Sequence, residues 1–151
     1  MCNWIDEENH VLSITCSKAR KKLGERGEQL LCQNLQLKRW QILASNFLNA
    51  SHSFEIDVIA LDPDDFLVFI EVKTRTNMNL DSVFATITKS KLRKMKLGAK
   101  HFCVQNPHIR HRGWRFDLAV VSFSPDKVPG KPKCWLIDQK HHKLAIYEGI
   151  G

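Results

Sequence analysis

An α/β fold, a sheet with helices packed against it, is predicted by three stretches of the sequence. Residues 54–75 carry two apolar, β-branched runs on either side of Asp62-Pro63-Asp64-Asp65, the pattern of an antiparallel hairpin. Residues 89–104 place Leu92, Met95, Ala99, Phe102 and Cys103 at helical spacing, which gives one buried face. Arg115 to Phe123 is a near-continuous apolar run, as expected of a central strand covered on both sides.

In chain order, residues 1–16 are a mixed segment and are expected to form an N-terminal extension with a poorly ordered start. Residues 17–151 are expected to form a single domain, and the length suffices for a real core. A helix is predicted over 17–38, with Ser17 as candidate N-cap and Leu23, Leu30, Leu31 and Leu35 in its apolar stripe. Gly24 and Gly27 each weaken that helix by roughly 1 kcal/mol relative to Ala, a cost that close packing or backbone approach would justify. Glu28 follows, and periodicity alone reads it as an exposed helix glutamate. Trp40 to Ala44 is a short first strand, and Asn46 to Ser53 a polar loop into the hairpin. After Arg75 comes a loop, Thr76 to Asp81; Thr88 can cap the second helix. Pro125 to Lys133 reads as a loop, and Trp135–Ile137 with Leu144–Tyr147 as a closing hairpin around Asp138 to Lys143, with His141-His142 at a solvated tip.

The bulk numbers narrow the function classes. There are 23 Lys and Arg against 16 Asp and Glu, a formal charge of +7. Such a basic chain suggests an anionic partner, nucleic acid first. No acidic residue falls between Ser82 and Phe116, where Lys89, Lys91, Arg93, Lys94, Lys96, Lys100, Arg110, Arg112 and Arg115 all lie. A solvated helix face is the plain reading of such a run. Lys91 argues for more: a cation in the first turn of a helix opposes the helix dipole unless an anion sits nearby. Trp114 could stack on a base, although packing beneath the loop is the simpler role. Five scattered cysteines without a C-x-x-C argue against a disulfide framework or a zinc site and fit reduced thiols in the cytoplasm. The first sixteen residues lack a basic stretch ahead of an apolar one, and no apolar run approaches membrane-spanning length, so no membrane role is expected.

The chemistry is concentrated in the hairpin. With the turn centred on Asp64, Asp57 lies opposite Glu71 and Glu55 opposite Lys73, and strand alternation puts all four on one face. Like charges directly opposed destabilise a sheet. A divalent cation between Asp57 and Glu71 would remove that penalty, and Mg2+ is commonly held by one or two carboxylates with several waters. The other face, Phe54, Ile56, Val58, Ala60, Val68, Ile70 and Val72, is apolar throughout and is expected to be core.

At these residues the sequence resembles the PD-(D/E)xK nuclease superfamily. More narrowly it resembles the YraN-like family of uncharacterised proteins, akin to archaeal Holliday junction resolvases. The matching stretches are Gly24-x-x-Gly27-Glu28, Glu55-Ile-Asp57-Val-Ile-Ala60, Val68-Phe-Ile-Glu71-Val-Lys73-Thr-Arg75, Lys91 and Arg115-Phe-Asp117, roughly residues 20–122 in order. A lone E-x-K is weak; the ordered set is fairly specific. The resemblance implies a restriction endonuclease-like fold with a central mixed β-sheet flanked by helices. It implies Asp57 and Glu71 as metal ligands, Lys73 as the lysine that positions or activates water, and Glu28 as the helix glutamate completing the site. One departure stands out: Phe54 occupies a position where the family usually carries Gly, a bulk that bears on backbone approach and substrate access.

The expectation is therefore a metal-dependent endonuclease, using Mg2+ or Mn2+, acting on structured DNA ahead of RNA, and the resemblance allows a homodimer. Nucleic-acid contacts are assigned to Arg75, Lys89, Lys91, Arg93, Lys94, Arg110, Arg112 and Arg115. The alternatives are a nucleic-acid-binding module without efficient catalysis and a protein-interaction domain with a basic surface.

Overall fold

The hairpin forms with the predicted register. In a computed structural model, which describes residues 9–75, 80–125 and 137–150, β2 (Glu55–Leu61) and β3 (Phe66–Arg75) pair antiparallel through Val58↔Ile70, Ile59↔Phe69, Ala60↔Val68 and Leu61↔Leu67. The turn is held by Asp62, whose Oδ1 accepts from the backbone N–H of Asp64 at 2.9 Å and of Phe66 at 2.8 Å. Asp65 adopts φ 63°, the left-handed conformation that Asp tolerates better than most residues.

Around this hairpin stand β1 (Gln41–Leu48), β4 (Gly113–Pro125) and β5 (Ile137–Tyr147). The five-stranded sheet has the order β1-β2-β3-β4-β5, antiparallel throughout except for β3 and β4, which run parallel. A parallel neighbour requires a crossover, and here it contains α2 (Leu80–Phe84) and α3 (Lys89–Gln105). With α1 (Asn9–Leu37) on the other face, the chain is an α/β protein with a mixed sheet flanked by helices, consistent with a restriction endonuclease-like fold.

Both faces of the sheet are core. Leu30, Leu31 and Leu35 of α1 pack on Val58, Ala60, Val68, Ile70, Val72, Ala119 and Val121. Met95, Ala99 and Phe102 of α3 pack on Ile56, Ile59, Leu67, Phe69 and Phe116. The expected single apolar face is therefore divided. Val58, Ala60, Val68, Ile70 and Val72 lie under α1, whereas Ile56 and Phe54 reach α3, where a Cβ on Gly98 would stand only 2.8 Å from Ile56 Cδ1 and 3.0 Å from Phe54 Cδ2. Phe54 also stacks on Phe47 at 6.0 Å. The bulk at position 54 thus fills the space beneath α3.

Four further expectations change. Helix α1 spans Asn9–Leu37, so Ser17 lies inside it and not at the N-terminus that was read there, and residues 1–8 of the expected extension lie outside the described residues. Strand β1 continues through Asn46 to Leu48, shortening the predicted loop. The short α2, Leu80–Phe84, lies where no helix was read. The closing hairpin is instead one long strand, β5, so His141 and His142 lie within it. Its polar middle had suggested a turn, but β5 is an edge strand, and an edge tolerates polar and charged residues. Residues 76–79 of the expected loop after Arg75, residues 126–133 of the later loop, and Trp135 with Leu136 lie outside the described residues. Helix α3, by contrast, begins where read: Thr88 Oγ1 accepts from Lys91 N at 3.1 Å.

The two glycines of α1 separate cleanly. A Cβ on Gly27 would collide with Thr74 Oγ1 on β3, whereas one on Gly24 would meet nothing within 4 Å. Gly27→Ala is expected to lose stability by about 1–3 kcal/mol through forced separation of α1 from β3. Gly24→Ala is expected to gain about 0.4–1 kcal/mol from helix propensity and the unfolded chain. Urea unfolding of both variants tests the opposite signs.

Candidate metal and nucleic-acid site

The site lies where β2 and β3 part. The ladder between them runs as far as Val58↔Ile70. In place of a further ladder bond, Asp57 Oδ2 accepts from the backbone N–H of Val72 at 2.7 Å. That bond holds the carboxylate in the fork between the strands, beside Glu71.

Glu71 is the hub. It is 2% exposed, among the most deeply buried charged groups in the described residues. Lys73 Nζ donates to its Oε1 at 2.6 Å. Lys91 Nζ, from the first turn of α3, stands 2.7 Å from its Oε2. The anion that a cation in that helical turn calls for is thus supplied by the chain itself. The Lys91 contact is a charge contact without hydrogen-bond alignment, and Oε2 has no aligned donor.

Burial first, and then the negative charge of Glu71, push the Asp57 carboxyl up to about 7; the Val72 N–H, Lys91 and Glu28 modulate it. Glu28 enters from α1 on the residue after Gly27, so the close approach of that glycine to Thr74 delivers it to the sheet. Burial raises the Glu28 carboxyl above its ordinary value, the hydrogen bond from Asn46 opposes this, and Glu55, Glu25 and Glu71 add to the rise. Four elements, α1, β2, β3 and α3, therefore bring Glu28, Asp57, Glu71, Lys73 and Lys91 into one electrostatic neighbourhood.

Asn46 was not singled out in the sequence. Its Nδ2 donates to Glu28 Oε2 at 3.0 Å from a left-handed backbone, φ 50°. The signal available was its residue type: Asn is among the few residues that accept this conformation, and it sits just ahead of the hairpin.

The remaining basic residues divide. Lys89, Arg93, Lys96 and Lys100 form an exposed stripe on the outer side of α3 and, with Leu92 and Leu97, line an open depression of about 330 Å³. Lys94 and Arg110 are exposed. Arg112 is also exposed, its guanidinium 5.9 Å from the Phe66 ring centre. Arg75 donates to the Thr74 carbonyl at 3.0 Å. Trp114 is 42% exposed and sets its edge against Phe69 and Phe116.

Arg115, assigned above to nucleic-acid contact, is engaged by carboxylates of the fold. Its Nη1 pairs with Asp62 at 2.7 Å and its Nε with Asp117 at 3.2 Å, and its guanidinium lies over the Trp40 ring. Arg115 pairs with Val68, three residues back from Glu71 along β3, a separation of about 10 Å.

The donor set suits a hard divalent cation in one respect and is lean in another. Asp57 and Glu71 offer carboxylate oxygens from facing strands, and the buried Glu71 Oε2 has no aligned donor. Among the described residues, no group of three His, Cys, Asp or Glu stands close enough to form a closed ligand set. Two carboxylates with waters in the other positions is a habit of Mg2+. A metal held by Asp57 would require that carboxyl ionised, and Mn2+ affinity is then expected to fall about tenfold for each pH unit below 7 and to level off above it. Titration of Mn2+ at pH 5.5, 6.5 and 8 checks this; a flat profile would assign metal binding to other groups.

No helix among the described residues is long and apolar enough to cross a membrane. A model of the family described as "Uncharacterised protein family UPF0102" matches residues 27–121, the interval from Gly27 to the middle of β4. A UPF0102 protein of Thermosynechococcus vestitus is 38% identical over 102 residues, covering 67% of this chain and 81% of its own. One from Francisella tularensis subsp. novicida is 36% identical over 103 residues, 68% of this chain and 86% of its own. One from Psychrobacter cryohalolentis is 29% identical over 138 residues, 89% of this chain and 78% of its own. With its site residues from Glu28 to Lys91 all inside the matched interval, the chain belongs to the UPF0102, or YraN-like, family.

Proposed function

We propose that this protein is a metal-dependent nuclease of the PD-(D/E)xK type that hydrolyses phosphodiester bonds in structured nucleic acid, DNA ahead of RNA. The observation that carries the reading is the fork between β2 and β3, where the buried carboxylate of Glu71 and the half-buried one of Asp57 meet beside Lys73. Opposed acids cost a sheet stability unless a cation is their purpose. When bound there, Mg2+ or Mn2+ would supply Lewis acidity to the phosphate and a lowered pKa to its water. Asp57 and Glu71 would hold it. Lys73, fixed by its bond to Glu71, would lend its ammonium to negative charge gathering on a phosphate. Glu28, kept in place by Asn46 and raised by burial above its ordinary pKa, would be the group to accept or return a proton. The exposed stripe of α3 suits phosphate contacts, which position a nucleic acid without reading its sequence.

A second reading has its own support. Lys73 and Lys91 already neutralise Glu71, as in a structural ion-pair network, and such networks also perturb pKa values. A nucleic-acid-binding module without catalysis would follow. The deciding experiment incubates the protein with labelled single-stranded, duplex, flap and four-way DNA and the matching RNA shapes, with Mg2+ and with Mn2+. Metal-dependent cleavage lost in Asp57→Ala, with binding retained, is the expected result. Salt-sensitive binding with no cut product from any shape would select the module. Gel filtration of the same sample tests the homodimer, and localisation in intact cells tests the cytoplasmic expectation.

A further inference from the structure

We propose that Lys91 competes with the divalent cation for Glu71 Oε2, so that this one side chain sets the affinity of the site for metal. The inference rests on the metal-site reading above and deepens it by naming how the site is regulated.

The two lysines on Glu71 are not equivalent. Lys73 makes an aligned hydrogen bond of 2.6 Å to Oε1 from the same strand. Lys91 approaches Oε2 at 2.7 Å from another element, and that oxygen has no aligned donor. A contact of charge without alignment is the easier one to exchange, because direction contributes much of the strength of a hydrogen bond. The Lys91 side chain is 26% exposed, so its ammonium has a short path to water, whereas Glu71 at 2% has none. Its backbone is fixed by Thr88, so only the flexible stem has to move. A cation in the first helical turn gains nothing from the helix itself, which leaves Glu71 as its partner in the fold.

A dication arriving at Oε2 must displace this monocation. Linkage makes the effect reciprocal: whatever draws Lys91 off Glu71 tightens metal binding by the same factor. An anion at the mouth of the site, such as a phosphate of the substrate backbone, is the chemistry that would draw it. Metal and substrate phosphate would then bind cooperatively, with Lys91 as the exchanged group.

The test is Mn2+ affinity, followed by electron paramagnetic resonance at pH 8 in the absence of nucleic acid. Lys91→Met and Lys91→Gln are each expected to bind Mn2+ about tenfold more tightly than the unsubstituted protein. Lys91→Arg, which keeps the charge, and Lys96→Met, on the exposed side of the same helix, are expected to leave it unchanged. Thermal unfolding establishes that each variant is folded, and two neutral replacements guard against the failure of one. Unchanged affinity in both neutral variants overturns the inference, while cleavage by the unsubstituted protein would leave the nuclease reading standing. Tighter Mn2+ binding without cleavage of any substrate would keep the inference and remove the nuclease. Failure of every form to bind Mn2+ overturns both.

Discussion

Glu71→Gln is expected to abolish divalent-metal binding and phosphodiester cleavage together, with the cleavage rate falling by at least about 100-fold, while the protein remains folded. The amide keeps the shape of the carboxylate and can still accept from Lys73, but it removes the charge that a hard cation requires. Glu71 joins both lysines to the fork and is itself almost fully buried. The cost to stability should be small, about 1 kcal/mol. Lys73 and Lys91 are each about a quarter exposed and can turn to water when their partner loses its charge. Mn2+ titration, cleavage of the labelled panel and urea unfolding, run on one preparation, separate the three quantities. Retained cleavage would remove Glu71 from the metal and the reading with it.

Asp117→Ala is expected to produce the opposite pattern, a large loss of stability from a residue outside the site. Asp117 is 0% exposed and accepts from Arg115 Nε through both oxygens at 3.2 Å and from the Gly149 N–H at 3.1 Å. Arg115 in turn binds Asp62 at the hairpin turn and lies over Trp40 at the head of β1. One carboxylate therefore ties β4 to the turn, to the first strand and to the residues after β5. Burial raises its pKa, while the Gly149 N–H and Arg115 pull it down. Removing one partner of a buried ion pair typically costs about 3–5 kcal/mol. Arg115 is about a quarter exposed and keeps Asp62, so the cost lies below that of a fully buried pair, about 2 kcal/mol including the Gly149 N–H left without its acceptor, or roughly 4–8 °C in melting temperature for a domain of this size. Differential scanning calorimetry would check it, and a shift under 2 °C would show that Asp62 alone satisfies the guanidinium.

What could be read in the sequence was what is local. The turn acids, the alternation on both sides and the short loop fixed the hairpin register from Val58↔Ile70 to Leu61↔Leu67, because all of these are decided within some twenty residues; beyond that the strands part, so the predicted oppositions of Asp57 to Glu71 and Glu55 to Lys73 are not ladder pairs. The apolar spacing of α3 and its Thr88 cap were legible for the same reason. What escaped depends on partners distant in the chain. The division of the hairpin's apolar residues between α1 and α3 is set by Gly98 approaching Ile56, and nothing near either residue announces it. The hold of Asn46 on Glu28 joins a strand to a helix across eighteen positions. Arg115 read as one more cation in an acid-free run, but its counter-charges, Asp62 and Asp117, lie outside that run. Lys91 stood between these cases. Its misfit with the helix dipole announced an anion without saying which one.

The parallel pairing of β3 with β4 bears on the order of assembly. β2 and β3 meet across a turn of four residues, whereas β4 can join β3 only after the intervening crossover, residues 76–112, has folded back. Short loops close at lower entropic cost than long ones, so the hairpin is expected to form first. During that interval its two acids confront each other without the ammonium of Lys91, which arrives with α3. A divalent salt in the refolding buffer is thus expected to speed the early phase of folding, and a stopped-flow series at rising Mg2+ would make the nascent hairpin's mutual repulsion visible as a rate.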